Sequence, residues 1–281
     1  MNKAYHIRAF YRFTSLPNFM LLKKPFEDFC KSNNMKGTIL LASEGINATV
    51  AAPSENIEKF WDYLGTYPAF KDMKFKESYN DKQPFEKMKV RLKNEIVRMG
   101  VEDLDLEKRG TYVKGADWDK LISDPEVVLV DTRNDYEFLL GTFEGAVNPK
   151  TEDFRSFPKW VDENLNPAKH KKVAMFCTGG IRCEKSTALL KNKGFDEVYH
   201  LDGGILQYFE DTANKNKKWS GSCFVFDDRV AVGADLQPVK VAVCKHCTKP
   251  LDIDPATIVN QKGVSCEMVG LPACHLEKQE V

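Results

Sequence analysis

Nowhere in the 281-residue chain do about 18 apolar residues run together, the length a helix needs to cross a bilayer, so no membrane span is expected. The start, MNKAYHIRAFYRF, lacks an apolar block followed by a small-residue cleavage site. It reads as a first strand, and the expected location is the cytoplasm. Net charge is absent as well: 41 Lys and Arg cancel 41 Asp and Glu. Bulk charge therefore selects no anionic partner, and no DNA partner is expected. Histidine is scarce, at positions 6, 170, 200, 246 and 275 only, with no compact histidine–carboxylate iron triad. No G-x-G-x-x-G follows a strand, and the LDGGI at 201–205 is too short for a dinucleotide loop, so flavin and nicotinamide fingerprints are missing. Internal repeats and low-complexity tracts are missing too.

What remains is an ordinary globular composition, 42% apolar and 29% charged, in a length that suits about two domains with an extra module. Residues 1–100 alternate strands and helices. Residues 6–13 alternate as a strand, and 19–31 carry Leu22, Phe26 and Phe29 at helical spacing. The stretch GTILLASEGINATVAA at 37–52 reads as two strands joined by a turn around 43–47. A second helix follows Ser54, a candidate cap, with Ile57, Phe60, Trp61 and Leu64 on its apolar face. Strands from the stretches 74–78 and 87–99 complete the order βαββαβ, that of a ferredoxin-like sandwich. Between Lys71 and Lys93 lie eight basic and four acidic residues, a local excess that either contacts phosphates or is solvated surface.

Residues 101–115 read as a polar linker. From 116 to 212 short β-branched runs, at 127–130, 173–176 and 197–200, alternate with helix-length segments, which implies a parallel α/β sheet covered on both faces. In such sheets function sits beyond the carboxyl ends of the strands, where Asp131 and Cys177 fall. Residues 213–281 form an irregular Cys-rich tail. The eight cysteines stand at 30, 177, 183, 223, 244, 247, 266 and 274. In a reducing compartment such clustering suggests metal binding or thiol chemistry before structural disulfides.

The stretch VAMFCTGGIRCEKS at 173–186 is the most informative. A buried strand delivers Cys177 to the sheet edge. Gly179 and Gly180 let the backbone turn so that successive N–H groups point inward, and a helix follows from about 183 to 192, with Gly194 as its left-handed terminator. A helix N-terminus with Arg182 nearby lowers a thiol pKa and holds an anion. Cys183, one turn further on, either resolves an oxidised or persulfidated Cys177 as a disulfide or is a small helix-packing residue. Asp131, Arg133 and Glu137 are expected to brace the loop.

This loop resembles the rhodanese family. Cys177 and Arg182 have the Cys-x4-Arg spacing of its sulfur-transferring members, not the Cys-x5-Arg of the related phosphatases, since position 183 is Cys. LVDTRNDYEF at 129–138, GTFEGAVNP at 141–149 and LDGGI at 201–205 support the resemblance. It implies that Cys177 carries a persulfide or acts as nucleophile, within a cradle of Thr178, Gly179, Gly180, Ile181 and Arg182.

Taken along the whole chain, a ferredoxin-like (acylphosphatase-like) front domain with SEGIN, then CTGGIRCEKS, then a Cys-rich tail is similar to the bacterial rhodanese-related tRNA uridine hydroxylases. That resemblance implies oxygen-dependent hydroxylation of the wobble uridine, position 34, to 5-hydroxyuridine. Molecular oxygen is then a co-substrate and the tRNA anticodon loop the partner, with Tyr11, Arg12, Phe13 and the 71–93 basic stretch as the expected RNA contact. The alternatives are a general persulfide sulfurtransferase and an RNA- or partner-binding protein with a spent rhodanese domain.

The tail, Cys244-Lys-His-Cys247 with Cys266 and Cys274 downstream, resembles a zinc ribbon. Its second half departs from the pattern, because Cys266 would pair with position 269, which is Val. It is expected either to bind zinc through Cys244, Cys247, Cys266 and Cys274 or to pack as a knuckle without metal.

Overall fold

Strand β1 (Tyr5–Phe13) packs Phe10 on Phe60 and Trp61 of helix α2 (Ser54–Gly65), in a core to which helix α1 (Lys23–Ser32) adds Phe26 and Cys30. A computed structural model describes residues 4–212, 218–244 and 250–251. They fall into two compact units, Met1–Gly100 and Val101–Val281. In the first, β2 (Lys36–Ala42), β3 (Gly45–Ala52), β4 (Lys76–Asn80) and β5 (Met88–Leu92) join β1 in the order β4-β1-β3-β2-β5. The first four strands with α1 and α2 make the ferredoxin-like βαββαβ, and β5 adds a parallel edge beside β2. The core is Phe10, Phe26, Ile39, Leu41, Ile46, Val50, Phe60 and Leu64 among others.

Details differ from the sequence reading for local reasons. Helix α1 begins at Lys23, after a 3-10 turn at Phe19–Leu22. Pro25 lacks the N–H that would extend the α-helical ladder upstream, so the helix can only carry it in its first turn. Ser54 is not a cap: Pro53 holds that position with extended backbone and no side-chain bond, and Ser54 is the first helical residue. The β2–β3 turn is only Ser43 and Glu44, since Ala42 already pairs with Gly45.

In the second unit β6 (Thr111–Val113), β7 (Val127–Asp131), β9 (Lys172–Phe176) and β10 (Glu197–Leu201) form an all-parallel sheet, order β6-β10-β9-β7. Between them run α3 (Gly115–Leu121), α4 (Asp135–Phe138), β8 (Gly141–Phe143), α5 (Phe157–Asn164) and α6 (Ile181–Asn192), and α7 (Gly204–Thr212) follows β10. The stretch expected to be a linker, 101–115, therefore ends as an edge strand and a helix start. Arg109, within it, binds the buried Glu184 carboxylate at 2.7 Å. The segment after α7 is not independent of the sheet: β11 (Trp219–Gly221) pairs antiparallel with β8, and Trp219 packs on Phe143, Phe176 and Phe209. Short pairs β12 (Cys223–Phe224) with β13 (Ala231–Val232), and β14 (Ala242–Val243) with β15 (Pro250–Leu251), follow. Cys247, Cys266 and Cys274, three of the four expected zinc ligands, lie outside the described residues. Cys244, the fourth, is buried. Among the described residues no helix is long and apolar enough to cross a membrane.

Candidate active site

Central strand β9, buried along Val173–Phe176, ends at Cys177 on the carboxyl edge of the parallel sheet. The chain then reverses through Thr178, Gly179 and Gly180 into α6. Gly180 does so in the left-handed region, φ +96°, which an L side chain rarely adopts. Gly179 is less demanding: a methyl group there would meet nothing within 4 Å. Helix α6 starts at Ile181, two residues before the position expected from sequence, and this brings its first amides under the sulfur.

The Cys177 sulfur is held as an anion. The Gly180 N–H donates to Sγ at 3.1 Å, and the Arg182 and Cys183 amides at the start of α6, the Cys183 thiol and the Arg182 charge favour its ionised form. Burial alone pushes this thiol up. The Cys183 hydrogen bond, the Arg182 charge and the amides outweigh it and bring the pKa down to about 6. Burial pushes the Cys30 and Cys223 thiols the other way, to about 12. Cys183 is also raised, first by burial and then by its anionic neighbour, so it stays a protonated donor. Its sulfur lies 3.7 Å from the Thr132 hydroxyl. Cys177 is 1% exposed, so the sulfur is covered in this state.

Arg182 is not a free fork facing that anion. Its guanidinium donates to both Glu137 carboxylate oxygens, at 2.7 and 2.8 Å, and both side chains are buried. Burial pushes the Glu137 carboxyl up, but the Arg182 charge beside it prevails and holds it below the usual range. Glu137 is itself fixed by a capping box with Asn134 at the start of α4. Thr178 turns its hydroxyl toward the Phe224 carbonyl oxygen, 3.5 Å away, and toward Glu137.

Asp131 and Arg133 form a fully buried ion pair, closest approach 2.6 Å. Arg133 also donates to the Gly141 carbonyl oxygen at 2.6 Å and lies over the Trp219 ring, while the Thr142 hydroxyl donates to Asp131. The pair ties β7 to β8 and to the segment following α7.

Sequence reasoning missed two supports. The Ile205 and Leu206 N–H groups donate to the Cys177 and Thr178 carbonyl oxygens, at 3.0 and 3.2 Å, anchoring the loop from α7. This close approach explains LDGGI: a Cβ at Gly204, φ +69°, would stand 2.5 Å from the Cys177 carbonyl oxygen and 2.7 Å from the Gly180 nitrogen. The second support is Phe224 and Phe226. Phe224 packs edge-on to Tyr136, and Arg182 lies beneath the exposed Phe226 ring, 5.9 Å from its centre. Nothing in the spacing of 219–226 announces that return.

In the first unit, the Arg12 guanidinium donates to the Ala69, Lys71 and Asp72 carbonyl oxygens. Tyr11 and Phe13 sit edge to face on the same side of β1. Among the described residues, one group could offer three metal donors, His6, Glu58 and Glu77. Arg8 already binds both of these carboxylates, so a cation there would meet a fixed positive charge.

Residues 5–96 match the UPF0176 acylphosphatase like domain, and residues 116–211 match the rhodanese-like domain. The tRNA uridine(34) hydroxylase of Teredinibacter turnerae is 51% identical over 276 residues, covering 98% of this chain and 84% of that protein. Among solved structures, a rhodanese-like domain from Anabaena is 17% identical with TM-score 0.32, over 39% of this chain and 78% of that one. An acylphosphatase from Coxiella burnetii is 12% identical with TM-score 0.25, over 32% and 92% of the respective chains.

Proposed function

The chain belongs to the tRNA uridine(34) hydroxylase family, and from that premise we propose that it hydroxylates carbon 5 of the uridine at position 34 of tRNA, with molecular oxygen as co-substrate and Cys177 as the catalytic residue. The observation that carries this reading is the similarity over nearly the whole chain, both domains and the connecting loop together. The site geometry supports it. An ionised sulfur at the N-terminus of α6, held by the Gly180 amide, is a strong nucleophile and a ready electron donor at neutral pH. The partner is the anticodon loop, whose unstacked bases can be turned out of the strand and into a pocket. A base reaching Cys177 must displace part of its cover, and the Phe224–Phe226 segment rests on Arg182 and Thr178 of the same loop. The cytoplasm is where both tRNA and reduced thiols are found.

Mass spectrometry of tRNA nucleosides from a strain lacking the gene tests this. Wild type is expected to restore 5-hydroxyuridine and its derivatives at position 34, and Cys177→Ala is expected not to. Restoration by Cys177→Ala would sink the reading. A second reading, persulfide transfer, is favoured by the Cys-x4-Arg loop in a rhodanese-like domain. Cyanide-dependent thiocyanate formation abolished by Cys177→Ser, with tRNA nucleosides unchanged in the deletion strain, would select it.

A further inference from the structure

Hydroxylation of a ring carbon by molecular oxygen leaves an electron account to be closed. One oxygen atom enters the C–H bond, and the other must leave as water, which takes two electrons and two protons from elsewhere. Two thiols joining as a disulfide release that number of each. We propose that Cys177 and Cys183 are this donor: the reduced pair supplies both electrons for each uridine hydroxylated and ends as a Cys177–Cys183 disulfide. The inference rests on the hydroxylase reading above.

The balance is complete with the named reactants. The O–O bond of O2, the uridine C5–H bond and the Cys183 S–H bond break, a C5–O, an S–S and three O–H bonds form, and solvent returns the one proton that Cys177 gave up on ionising. Uridine, O2 and two thiols give 5-hydroxyuridine, water and one disulfide. Sulfur is oxidised and oxygen reduced. A second turnover requires an external dithiol to reopen the disulfide by thiol–disulfide exchange.

Three observations place the pair. Cys177 Sγ caps the N-terminus of α6 and Cys183 stands in the first turn of that helix, its sulfur 3.7 Å from the Thr132 hydroxyl, and each thiol shifts the ionisation of the other. Their backbones are tied through one residue: the Gly180 N–H donates to Cys177 Sγ at 3.1 Å, and the Cys183 N–H donates to the Gly180 carbonyl oxygen at 3.0 Å. The proposed disulfide closes across this single turn, with a bond length of about 2.05 Å. Finally, both side chains are buried, which shields the reduced pair from idle oxidation while the site is closed. One sulfur is ionised and the other protonated, as needed for the first to attack and the second to give up its proton.

The test is a single turnover. Full-length protein is reduced, freed of reductant, mixed with unmodified tRNA and exposed to oxygen. Product is read by nucleoside mass spectrometry and cysteine pairing by non-reducing peptide mapping. The expected result is one Cys177–Cys183 disulfide for each 5-hydroxyuridine formed, with Cys183→Ser forming at least about tenfold less product. Serine keeps a hydrogen-bond donor beside Cys177, so alkylation of Cys177 should retain its low-pH inflection in this variant, which separates lost electrons from a lost thiolate. A folded Cys183→Ser protein that turns over like wild type would overturn the proposal. So would product without disulfide, or a disulfide to Cys223 instead. Absence of product from wild type even with excess dithiothreitol would instead strike the hydroxylase reading, and this inference with it.

Discussion

Arg182 and Glu137 face each other as a two-pronged buried pair, and this makes Arg182 a fixed positive charge beside Cys177 rather than a mobile anion clamp. Replacing Arg182 by Met removes the charge that helps ionise Cys177 and strands the Glu137 carboxylate. We expect the Cys177 alkylation inflection to rise above its starting value and stability to fall by about 3–5 kcal/mol. Glu137→Gln strands the guanidinium instead, with a comparable loss of stability, but leaves the thiolate its positive neighbour, so its inflection should not rise. Denaturant titrations and pH-dependent iodoacetamide labelling read the two effects separately. Equal inflections in both variants would show that Arg182 does not set the ionisation of Cys177.

The pH dependence follows from the same thiol. Its pKa in the folded protein lies below the ordinary value, near 6. The thiolate is therefore present above that pH and is lost as pH falls through it. Labelling and initial hydroxylation rate should both drop about tenfold for each pH unit below about 6 and be flat from there to neutrality. An inflection near 9 would mean that burial wins over the amides and Arg182.

Much of this was legible in the sequence, but unevenly. Local chemistry was: a buried strand, a cysteine and a glycine turn before a helix in 173–186 define the loop, because backbone geometry there depends on nearest neighbours. Long-range partners were not. That Arg182 would be spent on Glu137, 45 positions away, or Arg12 on carbonyls near 70, depends on which elements the fold brings together. LDGGI could be matched as a pattern without revealing that Gly204 exists to let α7 touch the cysteine loop. Strand β6 was hidden because three residues at a sheet edge carry no periodic signal.

The two glycine positions give a paired stability prediction. Gly204→Ala places a methyl group against backbone atoms 2.5–2.7 Å away, at a left-handed φ. It should cost about 1–3 kcal/mol and loosen the loop held by the Ile205 and Leu206 amides. Gly179→Ala meets open space, and its stability should stay within about 0.5 kcal/mol of wild type. Urea titration of both variants decides it, and a destabilised Gly179→Ala would show that the turn needs freedom at both glycines.

Asp131 and Arg133 are expected to act on stability and not on the sulfur. Both side chains are fully buried, and their partners are each other, Gly141, Thr142 and the Trp219 ring. Removing one partner leaves an uncompensated charge in a dry interior, so Arg133→Met should cost about 3–5 kcal/mol, whereas the double change Asp131→Leu with Arg133→Met should recover most of that loss because no charge is stranded. The recovery will be incomplete, since the Thr142 hydroxyl and Gly141 carbonyl lose partners that Met and Leu cannot replace. In both proteins, measured at temperatures where they remain folded, the Cys177 labelling inflection should stay near 6. A shift of that inflection in the double variant would show that the pair reaches the cysteine loop electrostatically and is more than a tie between β7, β8 and Trp219.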